Sequence, residues 1–428
     1  MRRIWGNSSV TTDIIGVGMN MQRITLMQIS RTLAAAGILF VTSVAALAQP
    51  PAGAPGRGGG RGGPPAPKSP EVSADSRVTF RLRAPNAKEV AVTGMPGGRL
   101  VMQKDEQGVW SITTDAMKPD MYSYSFSIDG ATVTDPGNSA FKTSATTAGQ
   151  SIVHVPGAVS WEPTPGLARG VVAHHFYHSA LVGDDRDFYV YTPPNYDANR
   201  KEPYPVLYLL HGLGDDAYGW ISAGSANVIL DNLIGQGKAQ PMIMVNTLGY
   251  GVSLPAMFGG GNGGRGGGGP EMLPNFAKTL LDEVMPQVEK QYKVSRDRSQ
   301  RAIAGLSMGG AEALFTGLNH LDKFAYVASF SGAFVMWPRP AGVQAVDDSV
   351  FAANFPKVDS KVNSQLKLLW IGCGTEDGLM GVNRQFRTWL KSKDVKAIEV
   401  ETPAMAHVWP LWRQNLTEIA PMLFQKGK

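Results

Sequence analysis

A serine between two glycines constrains this chain more than any other feature. Gly305-Leu-Ser-Met-Gly309 follows an apolar β-type run at 301–304 and precedes a helix-forming stretch at 311–319. The glycines allow a strained, tight turn that lifts the Ser307 hydroxyl above a sheet and aims the next helix at it. The motif therefore predicts a nucleophile elbow between a strand and a helix.

Predicted strands and helices alternate over residues 171–428, as such an elbow requires. Several predicted strands are continuous apolar runs, which is typical of strands buried on both faces. The predicted strands are 187–191, 206–210, 242–245, 301–304, 326–330, 366–371 and 397–400, and the predicted helices are 275–293, 311–319, 382–391 and 411–424. This order predicts an α/β domain with a mostly parallel sheet.

A different pattern covers residues 71–157. Apolar and polar residues alternate at 77–83, 90–93 and 122–128, and turn-forming residues separate these runs. Short alternating strands without a helical stretch predict a small all-β sandwich. Residues 158–170 are predicted to be a linker to the α/β domain.

The N-terminal 48 residues have the pattern of a secretory signal peptide. Arg23 and Arg31 precede an apolar run, and Ala46-Leu-Ala48 is a small-x-small site, so cleavage is expected after Ala48. The run is shorter than the ~20 residues that a membrane span needs. We therefore expect a periplasmic or secreted protein that has no membrane contact after cleavage. Residues 49–70, rich in proline and glycine, are predicted to be a flexible linker.

The charge balance argues against nucleic acid as a partner. The net charge is +5, but the signal segment and residues 49–68 carry it, and the remaining chain has a net charge of −1.

The single cysteine, Cys373, excludes an intramolecular disulfide and a cysteine-based zinc site. His174, His175 and His178 lie in a β-like run without a placed carboxylate, which favours an edge strand. Neither a metal nor a cofactor is predicted.

A nucleophilic serine needs a base, and the base needs an orienting acid. In this kind of domain the chain order is Ser, Asp or Glu, then His. His320 and His407 are the only histidines after Ser307, and His320 ends the helix that leads away from the elbow. His407 follows the last predicted strand, where a catalytic loop is expected. Glu376 and Asp377 both follow the preceding strand, and spacing alone leaves both open.

Two backbone N–H groups are needed to hold an oxyanion. The N–H of Met308, just after the nucleophile, is one. The other is expected in the loop after the strand that ends at Leu210, from Gly212 or Leu213. Three tryptophans on loops after strands are candidate substrate contacts, because ligands of open α/β sheets bind there: Trp220, Trp409 and Trp412.

Four segments together resemble the esterase D-type α/β-hydrolases of carbohydrate esterase family one. They are His211-Gly-Leu-Gly-Asp-Asp216, Gly305-Leu-Ser-Met-Gly-Gly310, Gly374-Thr-Glu-Asp377 and His407-x-Trp-Pro-x-Trp412. That family includes feruloyl and acetylxylan esterases, and the all-β domain is similar to the immunoglobulin-like module preceding many of them. The resemblance implies that Asp377 is the acid and Leu213 the second oxyanion donor. A glycine-rich insertion at 258–270 departs from the family.

The sequence thus predicts an α/β-hydrolase with Ser307, His407 and Asp377 as a catalytic triad. We expect a secreted serine carboxylesterase that forms an acyl-enzyme and acts on feruloyl or acetyl esters of plant cell-wall polysaccharide. An enterochelin-type siderophore esterase or an acyltransferase is the alternative within this class, and a non-catalytic carbohydrate-binding protein is the alternative outside it. The N-terminal module is expected to contact carbohydrate and to be dispensable for turnover of a small ester.

Overall fold

The computed structural model describes residues 66–157, 159–258 and 269–425. The predicted signal peptide and cleavage site, most of the 49–70 linker, and residues 259–268 of the glycine-rich insertion lie outside these ranges. Across the described ranges, no helix is both long and apolar enough to cross a membrane.

The N-terminal module is a sandwich of two antiparallel sheets, which confirms the predicted all-β fold. Strand order is β1-β2-β6-β5 in one sheet and β4-β3-β7-β10-β9 in the other, with β8 beside β7. The strands are β1 Glu71–Val72, β2 Val78–Arg83, β3 Val90–Met95, β4 Gly98–Val101, β5 Gln103–Lys104, β6 Val109–Thr113, β7 Asp120–Ile128, β8 Ala131–Val133, β9 Phe141–Lys142 and β10 Gln150–Val155. Alternate residues point inward, so Phe80 and Tyr124 meet between the sheets with ring centroids 4.6 Å apart.

The second domain contains one eight-stranded sheet in the order β11-β12-β14-β13-β15-β16-β17-β18. The strands are β11 Val171–Ser179, β12 Asp184–Thr192, β13 Val206–Leu210, β14 Ile243–Thr247, β15 Arg301–Leu306, β16 Tyr326–Phe330, β17 Leu368–Gly374 and β18 Ile398–Thr402. β12 runs antiparallel to both β11 and β14, and all pairs from β14 to β18 are parallel. The sheet has the architecture of an α/β-hydrolase, as predicted.

Helices cover both faces of this sheet. They are α1 Gly219–Ser222, α2 Ala226–Gly235, α3 Leu254–Phe258, α4 Met272–Lys278, α5 Met285–Gln291, α6 Met308–Asn319, α7 Asp348–Asn354, α8 Val362–Gln365, α9 Met380–Ser392 and α10 Trp409–Ile419, with a π-helical segment at Thr279–Val284 and 3₁₀ turns at Arg298–Gln300, Phe334–Met336 and Ala420–Met422. In β13, Tyr208 packs against the face that carries α6 and Leu209 against the face that carries α10. Burial on both faces explains why β13 is an unbroken apolar run.

The histidine-rich run is the edge strand β11, as predicted. Its histidines have separate partners: His174 Nε2 lies 2.7 Å from Asp187 Oδ2, and His175 Nε2 lies 2.6 Å from Tyr292 Oη. His178 Nδ1 lies 2.9 Å from a carboxylate oxygen of Asp185. In the part of the chain that the structure describes, no three His, Cys, Asp or Glu residues form a group suited to a metal ion.

Candidate active site

Ser307 occupies the turn between β15 and α6. Its backbone is strained, with φ 52° and ψ −115°, a conformation that costs a non-glycine residue about 1–3 kcal/mol. Two backbone hydrogen bonds of 2.8 Å hold it there: the Ser307 N–H donates to the Phe330 carbonyl, and the Ala333 N–H donates to the Ser307 carbonyl. The strain therefore falls on the serine itself, and the neighbouring strand supports it.

The two flanking glycines are needed for space rather than for a positive φ. A Cβ on Gly305 would lie 2.3 Å from the Gly309 carbonyl oxygen, and a Cβ on Gly309 would lie 2.5 Å from the carbonyl oxygens of Leu210 and His211. No side chain fits between these backbone groups. The glycines therefore allow α6 to start directly against β13.

The structure brings Ser307, His407 and Asp377 into one hydrogen-bonded line. The Ser307 Oγ lies 2.9 Å from His407 Nε2, and His407 Nδ1 lies 2.8 Å from Asp377 Oδ2. His407 lies between β18 and α10, and Asp377 follows β17. With Nδ1 protonated, the imidazole donates to the carboxylate, and Nε2 is left to accept the serine proton.

Burial distinguishes the two carboxylates that spacing left open. The Asp377 side chain is fully buried beside His407, whereas Glu376 is exposed. Burial raises the pKa of Asp377, but hydrogen bonds from His407 and from the Leu379 N–H outweigh it and lower the pKa below its ordinary value. Asp377 is therefore ionised where it faces the imidazole.

The loop of residues 212–215, named here the oxyanion loop, runs directly against the elbow. A Cβ on Gly212 would lie 3.4 Å from the Ser307 Cβ. Among the backbone hydrogen bonds of the described turns, loops and caps, neither the Leu213 N–H nor the Met308 N–H is a donor. Met308 directly follows Ser307, and Leu213 belongs to the loop that lies against it. The role of these two amides as oxyanion donors stays a prediction.

His211 holds the peptide group that carries the Leu213 N–H. Its Nδ1–H donates to the Gly212 carbonyl at 2.8 Å, and its Nε2 accepts the Gly249 N–H at 2.8 Å. Burial lowers the pKa of His211, so the ring is neutral and can donate at one nitrogen while it accepts at the other. Because a peptide group is planar, fixing its carbonyl also fixes its N–H.

Sequence reasoning missed the other supports of the oxyanion loop. Tyr250 is buried; its hydroxyl accepts the Gly214 N–H at 2.8 Å and donates to the Asp215 carbonyl at 2.9 Å. Lys142 of the N-terminal module forms an ion pair with the Asp215 carboxylate. The position of Tyr250 after β14 could have indicated a role near the site, whereas nothing in the sequence links residue 142 to residue 215.

The prediction for Trp220 is wrong. Its side chain is fully buried, and its Nε1–H donates to the Leu210 carbonyl at 2.8 Å, so it packs beneath the site. Trp409 and Trp412 do line the cleft around Ser307. The Trp412 ring meets His407 edge-on at 4.9 Å, and its Nε1–H donates to Ser331 Oγ at 3.3 Å.

The cleft lies between the two domains and has a volume of about 890 Å³. Ser307 and His407 line it on the α/β side, together with Met405 and the two tryptophans. The N-terminal module supplies the opposite wall, including these residues: Met95, Pro96, Tyr122, Lys142 and Gln150. The cleft that contains Ser307 is therefore lined by both domains.

Two family matches cover most of the described chain. Residues 68–145 match carbohydrate-binding module 48, the isoamylase N-terminal domain, and residues 179–423 match the Esterase family. The chain belongs to the Esterase family. The match confirms the family resemblance that the motifs indicated.

Relatives of this chain include a curated protein whose name gives two activities. An endo-1,4-beta-xylanase/feruloyl esterase of Xylanibacter ruminicola is 31% identical over 369 residues, which cover 84% of this chain and 46% of that protein. A second curated relative, endo-1,4-beta-xylanase Y of Acetivibrio thermocellus, is 29% identical over 164 residues, which cover 36% of this chain and 14% of that protein. The chain thus spans less than half the length of these relatives.

Solved structures share the fold of this chain. A CE1 ferulic acid esterase from Anaeromyces mucronatus superposes with a TM-score of 0.51 at 22% identity, over 63% of this chain and 96% of that one. An enterochelin esterase from Shigella flexneri superposes with a TM-score of 0.58 at 19% identity, over 83% of this chain and 94% of that one.

Proposed function

We propose that this protein is a secreted serine carboxylesterase that removes feruloyl or acetyl groups from plant cell-wall polysaccharide. The observation that carries the proposal is the line Ser307–His407–Asp377, with distances of 2.9 and 2.8 Å, on the wall of a two-domain cleft. The name of the Xylanibacter relative and the match of the N-terminal module to a carbohydrate-binding family support the choice of substrate.

In the acylation half-reaction, the Ser307 Oγ attacks the ester carbonyl carbon while its proton passes to His407 Nε2. The Asp377 carboxylate stabilises the imidazolium that results. The carbonyl oxygen becomes an oxyanion and accepts hydrogen bonds from the N–H groups of Leu213 and Met308. When the tetrahedral intermediate collapses, the alcohol leaves with the proton from His407, and the acyl group stays on Ser307.

In the deacylation half-reaction, water takes the place of the alcohol. His407 accepts a proton from the water as its oxygen attacks the acyl carbon, and the same two amides hold the oxyanion. Collapse returns the proton to the Ser307 Oγ and releases the carboxylic acid. If another alcohol enters in place of water, the product is a new ester, and the protein is then an acyltransferase.

The two-walled cleft suits an ester whose alcohol is a sugar. Trp409 of the esterase domain and Tyr122 of the module both line the cleft, and their aromatic side chains are suited to packing against the apolar face of a sugar. Gln150 adds hydrogen-bonding groups from the module wall. We assign the module a contact with the carbohydrate part of the substrate.

A panel of three substrates tests the proposal. Methyl ferulate, acetylated xylan and enterobactin are incubated with the wild-type chain and with Ser307→Ala, and products are identified by mass spectrometry. Release of ferulate or acetate by the wild type alone supports the proposal. Turnover of enterobactin alone would assign the protein to the siderophore esterases, and binding of xylan without ester cleavage would make it a carbohydrate-binding protein.

Secretion has its own test. The full-length chain is expressed with its N-terminal 48 residues, and the exported fraction is analysed by N-terminal sequencing. A mature chain that starts at Gln49 supports export with cleavage after Ala48. Uncleaved protein confined to the cell interior contradicts this part of the proposal.

A further inference from the structure

We propose that the N-terminal module is a positioning part of the catalytic machinery, because its residues Lys142 and Ser144 hold the oxyanion loop in place. The inference rests on the proposed esterase function and goes beyond it: the module acts in the chemical step, in addition to any contact with carbohydrate. It also reverses the expectation that the module is dispensable for turnover of a small ester.

The module holds the oxyanion loop through the Gly214 carbonyl. This oxygen accepts the Ser144 hydroxyl at 2.8 Å and the Ala145 N–H at 3.1 Å, so both of its lone pairs are directed at the module. Gly214 adopts φ 85°, a left-handed conformation in which the loop reverses direction beside Leu213. The carbonyl that the module binds is thus one residue from the Leu213 amide.

The direction of the Ser144 hydroxyl is fixed within the module. Its Oγ accepts the N–H groups of Thr146 and Thr147 at 3.2 Å each and lies 3.2 Å from the Thr146 hydroxyl, and its own hydrogen donates to the nearer Gly214 carbonyl. Gly149 packs tightly over the start of this turn, because a Cβ there would lie 2.4 Å from the Lys142 carbonyl oxygen. The turn that presents Ser144 is therefore well ordered by local contacts.

The Lys142–Asp215 ion pair adds a second, charged contact between the module and the oxyanion loop. The Lys142 side chain is 14% exposed and that of Asp215 is 8% exposed, so little solvent screens the pair. β9 pairs with β10 at Lys142 and Gln150, which fixes the lysine backbone in the sheet. If the lysine is removed, the carboxylate remains buried without its charged partner, and we expect it to turn outward with its loop.

A displaced loop acts on the transition state more than on the ground state. The Leu213 amide must meet the oxyanion, whose position differs from that of the ester carbonyl oxygen. An error of about 1 Å in such a group costs up to about 100-fold in rate. The inference thus predicts a loss in kcat, whereas a module that only bound substrate would affect KM.

The test compares full-length variants on p-nitrophenyl acetate, an ester too small to need a carbohydrate subsite. For Lys142→Met we expect kcat to fall about 10- to 100-fold with KM changed less than about threefold. Ser144 does not line the cleft, so Ser144→Ala tests the same loop without altering the cleft wall; we expect a several-fold fall in kcat. Lys142→Arg keeps the charge and should recover most of the loss.

The matched control is Lys104→Met, the same substitution at a lysine whose contacts in the described chain stay inside the module. The Lys104 ammonium lies 3.4 Å from the Ala87 carbonyl oxygen and 5.6 Å from the Trp110 ring centroid. Its kcat should equal that of the wild type. Thermal unfolding of every variant establishes whether the chain is folded at the assay temperature. If Lys142→Met is not folded there, Ser144→Ala provides the test.

Inhibition by a boronic acid distinguishes a role in positioning the oxyanion loop from a role in stability alone. The boronic acid forms a tetrahedral adduct with the serine, and one adduct oxygen occupies the oxyanion site. For Lys142→Met and Ser144→Ala, we expect the inhibition constant of phenylboronic acid to rise in parallel with the loss in kcat/KM. Folded variants with wild-type kcat and inhibition constant overturn the inference and leave the esterase function intact. A wild-type chain no more active than Ser307→Ala overturns the proposed function, and the inference with it.

Discussion

The nucleophile elbow and the oxyanion loop lie side by side, yet they are held in different ways. The elbow depends on backbone groups: the Phe330 carbonyl accepts the Ser307 N–H, and Gly309 packs against the carbonyls of Leu210 and His211. The oxyanion loop depends on side chains: the adjacent His211, and Tyr250 and the module's Ser144 from distant segments. The difference teaches that one half of the site is encoded in a short motif, while the other half is assembled by the fold.

Backbone partners are available whatever the side chains are, so the elbow needs only glycines where space is short. Side-chain partners must be the right residues in the right places. We therefore expect substitutions at the elbow to abolish the chemistry or damage stability, and substitutions around the oxyanion loop to reduce the rate by degrees. The predictions below test this contrast, from the largest expected effect to the smallest.

The largest effect is expected at the elbow serine. Ser307→Ala should reduce kcat on p-nitrophenyl acetate by about a million-fold, because the triad acts as a unit. The circular dichroism spectrum and the melting temperature should stay at wild-type values, because alanine keeps the same backbone conformation and lacks only the hydroxyl. Near-normal turnover in a purified variant would show that another residue is the nucleophile.

The next largest effect is expected at Asp377, the predicted acid, which lies outside both the elbow and the oxyanion loop. Asp377→Asn should lower kcat by about 10⁴-fold, because an amide favours the wrong tautomer of His407. Glu376→Gln is the matched control: this neighbour is exposed, and its variant should retain wild-type kcat. The reverse ranking would contradict the acid role assigned to Asp377.

A third prediction contrasts two glycines in helices. Gly309→Ala should lower the free energy of unfolding by about 1–3 kcal/mol or more, because its Cβ would lie 2.5 Å from the backbone oxygens of Leu210 and His211. Gly381→Ala in α9 is the control. Nothing lies within 4 Å of its Cβ position, so alanine should be neutral or stabilising by up to about 1 kcal/mol. Urea unfolding measures both, and a stabilised Gly309→Ala would refute the close approach of helix and strand.

The smallest effect concerns Glu312, a fully buried carboxyl on α6. A Cβ on Gly249 would lie 2.9 Å from Glu312 Oε2 and 3.3 Å from His211 Nε2, so this acid lies between the elbow helix and the support of the oxyanion loop. Burial raises its pKa well above the ordinary value of 4.5. The folded chain keeps this proton above pH 4.5, whereas the unfolded chain releases it, so the stability that Glu312 contributes falls as pH rises.

Glu312→Gln removes this dependence. Relative to the wild type, the variant should gain free energy of unfolding as pH rises above 5, by up to about 1.4 kcal/mol per pH unit until the folded-state pKa is reached. Urea unfolding of both proteins at pH 5, 7 and 9 measures the difference. A difference that is constant with pH would mean that Glu312 is ionised in the folded chain.

Much of the fold follows from local pattern. The alternation in β2 and β7 predicted the sandwich, and the apolar runs of β13 and β16 predicted strands buried on both faces, with the observed bounds of β13 and β16 equal to those predicted. Boundaries moved where tertiary contacts extend an element: the predicted helix at 275–293 begins at Met272 and contains a π-helical segment. Helix α2 was not predicted, because its sequence ANVILDNLIG has no clear polar face.

The sequence by itself determined the α/β architecture, the elbow serine and the residue order of the candidate triad. Glycine spacing, strand periodicity and chain order are local properties, so they survive without knowledge of the rest of the fold. Spacing left Asp377 and Glu376 open and only the family resemblance favoured Asp377. Tertiary structure supplies the physical distinction, because the two adjacent residues differ in burial and in contact with His407. It also placed Trp220 beneath the site, although its loop position suggested a substrate contact.

Tertiary structure alone also joined Lys142 and Ser144 to the oxyanion loop. A Ser144 hydroxyl and a Gly214 carbonyl that lie 70 residues apart in the chain leave no periodicity or spacing that a sequence pattern can detect. Their contact depends on how the two domains pack, and that packing is the sum of many side-chain contacts. The physical reason is range: a turn or a strand is decided by neighbouring residues, whereas a site shared by two domains is decided only when both have folded and met.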